Sequence, residues 1–221
     1  MSNPNLTRLV FLLDRSGSMQ SIKSDVIGGF DAFLAEQRAG EGLCTVTLAQ
    51  FDDEYEVVYR GIAIGQVPPL ALWPRGRTAL HDSMGKLITD TAAEIKALAE
   101  DDKPGTVVVA IMTDGLENAS REWRRSDIKA LVEQQTNDHG WEFLYMGADQ
   151  DAVEVGRGLG VKDGQAVTYA KGKSRDTLLT VSGNVRGYRN ARMANPAAAM
   201  PEFTDRQRAR LATDERGDER A

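Results

Sequence analysis

Leu9-Val10-Phe11-Leu12-Leu13-Asp14-Arg15-Ser16-Gly17-Ser18 runs five apolar residues straight into a polar turn. An unbroken apolar run, rather than an alternating one, marks a strand buried on both faces, as at the centre of a parallel sheet. Asp14, Ser16 and Ser18 then fall at its carboxyl end, the edge where open α/β sheets take their ligands. Working outward, Ile22, Val26, Ile27, Phe30, Phe33 and Leu34 recur at helical spacing until Gly40 and Gly42 stop the pattern. Thr106 to Met112 is a second wholly apolar strand, closed by Thr113-Asp114-Gly115 and followed by a helix from about Ser126 to Asn137. Glu142 to Met146, a helix near Asp151 to Leu159, a short strand at Ala166 to Tyr169 and a closing helix over Ser174 to Arg192 continue the rhythm.

Two segments depart from it. Leu43 to Phe51 and Tyr55 to Ile64 are joined by only Asp52-Asp53-Glu54, which predicts a hairpin and hence one antiparallel strand at a sheet edge. Pro68, Pro69 and Pro74 exclude regular helix from the loop that delivers Thr78 to the apolar stripe of Ala79 to Glu100. The expected fold class is α/β: a three-layer, Rossmann-like, open and mostly parallel sheet with one antiparallel edge strand and helices on both faces. It should occupy residues 6–192. Residues 193–221, with Pro and Ala giving way to mixed charge, read as a flexible C-terminal tail.

Composition agrees. Of 221 residues, 41% are hydrophobic and 27% charged, which excludes disorder, collagen and coiled coil as descriptions of the whole chain. A net charge of -6 argues against a nucleic-acid footprint spread over the whole surface. The single cysteine, Cys44, rules out an internal disulfide and a cysteine-rich zinc site. Met1 to Asn5 lacks the basic-then-apolar signature of a secretion signal, and no apolar run approaches the ~18 residues of a membrane span. The expected location is cytoplasmic, without membrane contact.

Asp14, Ser16, Ser18, Thr78 and Asp114 should converge, because each sits in a loop at the same rim of the sheet. They offer oxygen only. A hard Mg²⁺ ion takes oxygen ligands and retains waters, so two carboxylates and three hydroxyls on separate loops suit it better than zinc or copper, with Mn²⁺ an acceptable substitute. Two carboxylates at most balance the ion's charge, so an open coordination position would attract an acidic group. Taken singly, each of these residues also reads as a helix cap or turn residue.

Asp14-x-Ser16-x-Ser18, then Thr78 in Gly76-x-Thr78-x-Leu80, then Asp114 before Gly115, resembles the metal-ion-dependent adhesion site of von Willebrand factor A domains. The resemblance spans about residues 6 to 192. It implies a domain that binds a protein partner by completing the shell of Mg²⁺ (Mn²⁺ or Ca²⁺ in its place) with the partner's Glu or Asp. Ser16, Ser18 and Thr78 would be hydroxyl ligands, while Asp14 and Asp114 would act directly or through water. With no signal, paired cysteines or anchor in view, the sequence looks closer to the family's intracellular bacterial members, and that is the expectation.

Other features compete for a role. Arg75 and Arg77 could form a positive rim around Thr78, and Glu117 and Asn118 could support Asp114. His81, Asp82 and His139 read as structural, and Asp149 and Asp151 as lying beyond the metal's reach. Lys171, Lys173, Arg175, Arg186, Arg189 and Arg192, with Tyr169 and Tyr188, suggest an alternative, an RNA-associated module using the closing helix. A further alternative makes Asp14 the nucleophile of a Mg²⁺-dependent phosphohydrolase. Against it stand Ser16, where a second carboxylate could protonate a leaving group, and the lack of a phosphate loop.

Overall fold

The computed structural model describes residues 2–213. Six strands form one sheet: β1 (Asn3–Asp14), β2 (Leu43–Phe51), β3 (Tyr55–Ala63), β4 (Pro104–Thr113), β5 (Glu142–Ala148) and β6 (Ala166–Tyr169). Their order is β3-β2-β1-β4-β5-β6, parallel throughout except for the antiparallel β2–β3 hairpin at one edge. The helices are α1 (Lys23–Arg38), α2 (Leu80–Ala97), α3 (Arg125–His139), α4 (Ala152–Gly158), α5 (Ser174–Ala194) and α6 (Asp205–Ala212).

β1 shows why the unbroken apolar run matters. Leu9, Phe11 and Leu13 point into the core beneath α1 and α5, while Val10 and Leu12 point into the core beneath α2 and α3. Phe11 anchors the first core, edge-on to Phe30 and Phe33 of α1 with both ring centroids at 5.0 Å. The three-layer α/β architecture expected from the pattern is the one observed. A polar clamp ties α1 to α5 inside it. Arg189, 2% exposed, donates to the Gln37 carbonyl (2.9 Å) and to Gln37 Oε1 (3.0 Å), and Gln37 Nε2 donates to the Ser182 carbonyl (2.8 Å).

The segment after Asn195 differs from the expected flexible tail. Met200, Phe203 and Leu211 are buried in the α1/α5 core, and the Ala170 N–H donates to the Leu211 carbonyl (2.8 Å). Thr204 caps α6 by accepting from the Gln207 N–H. The physical reason is edge protection: α6 lies over β6, a four-residue strand whose outer side would otherwise be open. Three isolated apolar residues suffice for that docking, too few to raise a periodic signal. The remainder of the expected tail, residues 214–221, lies outside the described residues.

Candidate metal centre

Asp14 ends β1 and Asp114 follows β4, so the pairing of these two central strands brings both carboxylates to one rim. Asp14 is fully buried. Its Oδ1 accepts from the Ser16 N–H (2.6 Å) and its Oδ2 from the Thr113 hydroxyl (2.6 Å). Asp114 Oδ1 accepts from the Ser18 hydroxyl, and Ser18 Oγ lies 3.1 Å from Ser16 Oγ. Thr78 joins from the third loop. A β-carbon placed on Gly115 would lie 2.9 Å from Thr78 Oγ1, 3.7 Å from Ser18 Oγ and 3.8 Å from Asp14 Oδ2. Oxygens from three loops thus surround one small space that Gly115 leaves open.

The surroundings hold these loops in register. The Thr78 N–H donates to Asn118 Oδ1 (3.0 Å) and the Asn118 N–H returns to the Thr78 carbonyl (3.0 Å). Glu117 accepts from the N–H groups of His81, Ala119 and Ser120, and Asp82 from those of Arg121, Glu122 and Trp123. The start of α2 and the loop after β4 are therefore laced together by two carboxylates. On the other side, Asp52 Oδ2 accepts from Arg15 Nε (2.9 Å) and Arg75 Nε (2.8 Å), and the Arg75 N–H donates to the Arg15 carbonyl (2.8 Å). This triad ties the turn after β1 to the hairpin and to the loop carrying Thr78.

Burial pushes the Asp14 carboxyl up to about 6; the bonds from Thr113 and Ser16 pull it down, and neighbouring Asp114 adds to the rise. Burial would also raise Asp82 and Glu117, but the N–H bonds they accept outweigh it and hold both below the ordinary range. Burial lowers His81.

A hard divalent cation fits this donor set. Asp114 Oδ2 is buried with no hydrogen-bond partner, and the three atoms nearest a β-carbon placed on Gly115 are all oxygens. Among the described residues no group of three or more His, Cys, Asp or Glu side chains is arranged to hold a metal ion.

All five sequence-selected residues come together, and Asn118 and Glu117 support them. Arg75 is committed to Asp52 and Glu54, and Arg77 donates to the Asn118 carbonyl, so neither arginine is an unpartnered rim. The basic stripe of α5 is largely consumed internally: Lys173 pairs with Asp176, Arg186 with Glu36, Arg189 with Gln37, and Arg192 with the Gly105 carbonyl. Lys171 instead lies 3.6 Å from Asp114 Oδ2. Sequence reasoning missed the Arg15–Asp52–Arg75 triad, whose members carry no spacing signal. It also missed Thr113 as the partner of Asp14, although its place at the end of β4 was visible.

No family model matches the chain, and no curated protein does. Solved structures do. Proximal thread matrix protein 1 from the mussel byssus superposes with a TM-score of 0.58 at 14% identity, over 85% of this chain and 46% of that one. A von Willebrand factor type A protein from Catenulispora acidiphila gives 0.52 at 13%, over 82% and 43%. The vWF domain of the type V pili tip protein Mfa5 from Porphyromonas gingivalis gives 0.56 at 14%, over 90% and 98%. The chain therefore has the von Willebrand factor A fold. It spans about half the length of the first two chains it matches.

Proposed function

We propose that the chain is a Mg²⁺-dependent protein-binding domain, non-enzymatic, in which Asp14, Ser16, Ser18, Thr78 and Asp114 hold the metal and a partner's Glu or Asp is the incoming ligand. The observation that carries this reading is the convergence of three loops' oxygens on the space that Gly115 keeps open. Mn²⁺ or Ca²⁺ would substitute, since hydroxyl and carboxylate donors serve all three. Bound there, the ion supplies a Lewis-acidic position for an acidic side chain. The protein's own residues position it: Asn118 pins Thr78, Thr113 and the Ser16 N–H orient Asp14, and Ser18 orients Asp114.

Fold neighbours support the reading. One structure of the mussel protein has a zinc-occupied MIDAS motif, with a TM-score of 0.58 at 14% identity over 80% of this chain and 47% of that one. The Porphyromonas neighbour comes from a pilus tip. Trp73, 73% exposed, and Leu116, 63% exposed, sit on the loops that carry Thr78 and Asp114, where aromatic and apolar anchors would flank the acidic contact. Asp14, fully buried with both oxygens engaged, is poorly disposed for in-line attack on a phosphate ester, which favours binding over hydrolysis. Among the described residues no helix is long and apolar enough to cross a membrane.

The test is calorimetric titration of metal-stripped protein with Mg²⁺ and Mn²⁺, alongside folded Asp14→Ala and Thr78→Ala variants. Saturable binding in wild type, lost in Asp14→Ala and weakened in Thr78→Ala, is expected. Equal binding in all three would reject the centre.

A further inference from the structure

We propose that Lys171 is this centre's own counter-cation, competing with the divalent ion for Asp114 and holding metal affinity down. The inference rests on the metal-centre reading above and concerns how that centre is regulated. The Asp114 side chain has no exposed surface; Ser18 satisfies one oxygen, and Oδ2 has no hydrogen bond. The Lys171 ammonium, 3.6 Å from that oxygen, is the cation paired with it among the described residues. Asp14 has no ion-pair partner there, because neighbouring Arg15 is turned to Asp52 and Glu56. Of the two buried carboxylates, only Asp114 has an ammonium beside it.

The placement of Lys171 is built into the backbone. It opens the short turn after β6, where the Ala170 N–H is held by the Leu211 carbonyl (2.8 Å) and the Lys173 N–H by the Ala170 carbonyl (2.7 Å). The α6 segment thereby fixes the base of the lysine. Its head is freer: the side chain is 39% exposed, on a flexible stem with three rotatable donors. It borders a cleft of about 420 Å³ also lined by Asp114, Asp149 and Asp151, so two further carboxylates line the same cleft. A divalent ion entering the centre must either share Asp114 with a like charge or drive the ammonium toward Asp149 and Asp151. Both routes weaken metal binding relative to a chain with a neutral side chain at position 171. An exposed ion pair would count for little, but here one partner is wholly buried.

The experiment titrates metal-stripped, full-length wild type, Lys171→Met, Lys171→Gln and Lys171→Arg with Mg²⁺ and with Mn²⁺ at neutral pH and fixed ionic strength. Circular dichroism checks folding, and Asp14→Ala serves as the non-binding control. The neutral variants should bind both metals about tenfold more tightly, and Lys171→Arg within about twofold of wild type. Wild type binding saturably while folded Lys171→Met and Lys171→Gln bind no more tightly overturns the role of Lys171 and leaves the centre standing. Folded wild type and neutral variants all failing to bind overturns the metal-centre reading and this proposal with it.

Discussion

Gly115 is a residue whose missing side chain matters more than any it could carry. Alanine there would put a methyl 2.9 Å from Thr78 Oγ1. Gly115→Ala should therefore lower the Mg²⁺ affinity of the proposed centre by about tenfold or more in a calorimetric titration and, because buried Thr78 must shift, cost about 1–3 kcal/mol in urea unfolding. Asp82 makes the opposite case, a side chain present for stability. Its folded ionisation range lies below the ordinary value near 4, so the stabilisation it gives is complete above that pH and is lost as pH falls through the folded value. Asp82→Asn should cost about 1–2 kcal/mol at neutral pH, and denaturant melts should show the gap from wild type closing in acid. At this scale the convergence of the candidate residues was legible. Asp14, Ser16, Ser18, Thr78 and Asp114 each follow a strand or precede a helix, a placement the apolar periodicity exposes. The triad was not legible, because Arg15, Asp52 and Arg75 are ordinary surface residue types until the fold buries two of them.

Between elements, the triad and α6 carry distinct loads. Asp52→Ala would leave the Arg15 guanidinium, only 7% exposed, without its buried partner, and a loss of about 3 kcal/mol is expected in urea unfolding. Residual metal binding should weaken in step, since the same carboxylate joins three of the site's supporting loops. Leu211→Ala, in α6, should cost about 2–4 kcal/mol; a change below about 0.5 kcal/mol would mean that α6 is not docked in solution. The strands and long helices were readable because each repeats its period several times. The docking of α6 was not, because Met200, Phe203 and Leu211 are spread over twelve positions dominated by charge and small residues.

For the molecule as a whole, the loops that carry Thr78 and Asp114 also carry the exposed Trp73 and the exposed Leu116. Trp73 contacts the Lys23 ammonium at 4.3 Å but packs into no core. Trp73→Ala should change unfolding free energy by less than about 0.5 kcal/mol, yet shorten the lifetime of a metal-dependent complex measured by surface plasmon resonance. A complex dissolved by EDTA but indifferent to Trp73→Ala would place the contact elsewhere on the rim.

β1 lies between β2 and β4 in space, yet β4 does not begin until Pro104, far later along the chain. Until that strand leaves the ribosome, Leu9 to Leu13 has an unpaired side and a face without its permanent cover. The segment that defines the finished core is thus the nascent chain's chief aggregation hazard, and its folding must wait on non-local pairing. Translation stalled before residue 104 should yield a species that engages chaperones, whereas stalling well beyond Tyr169 should not.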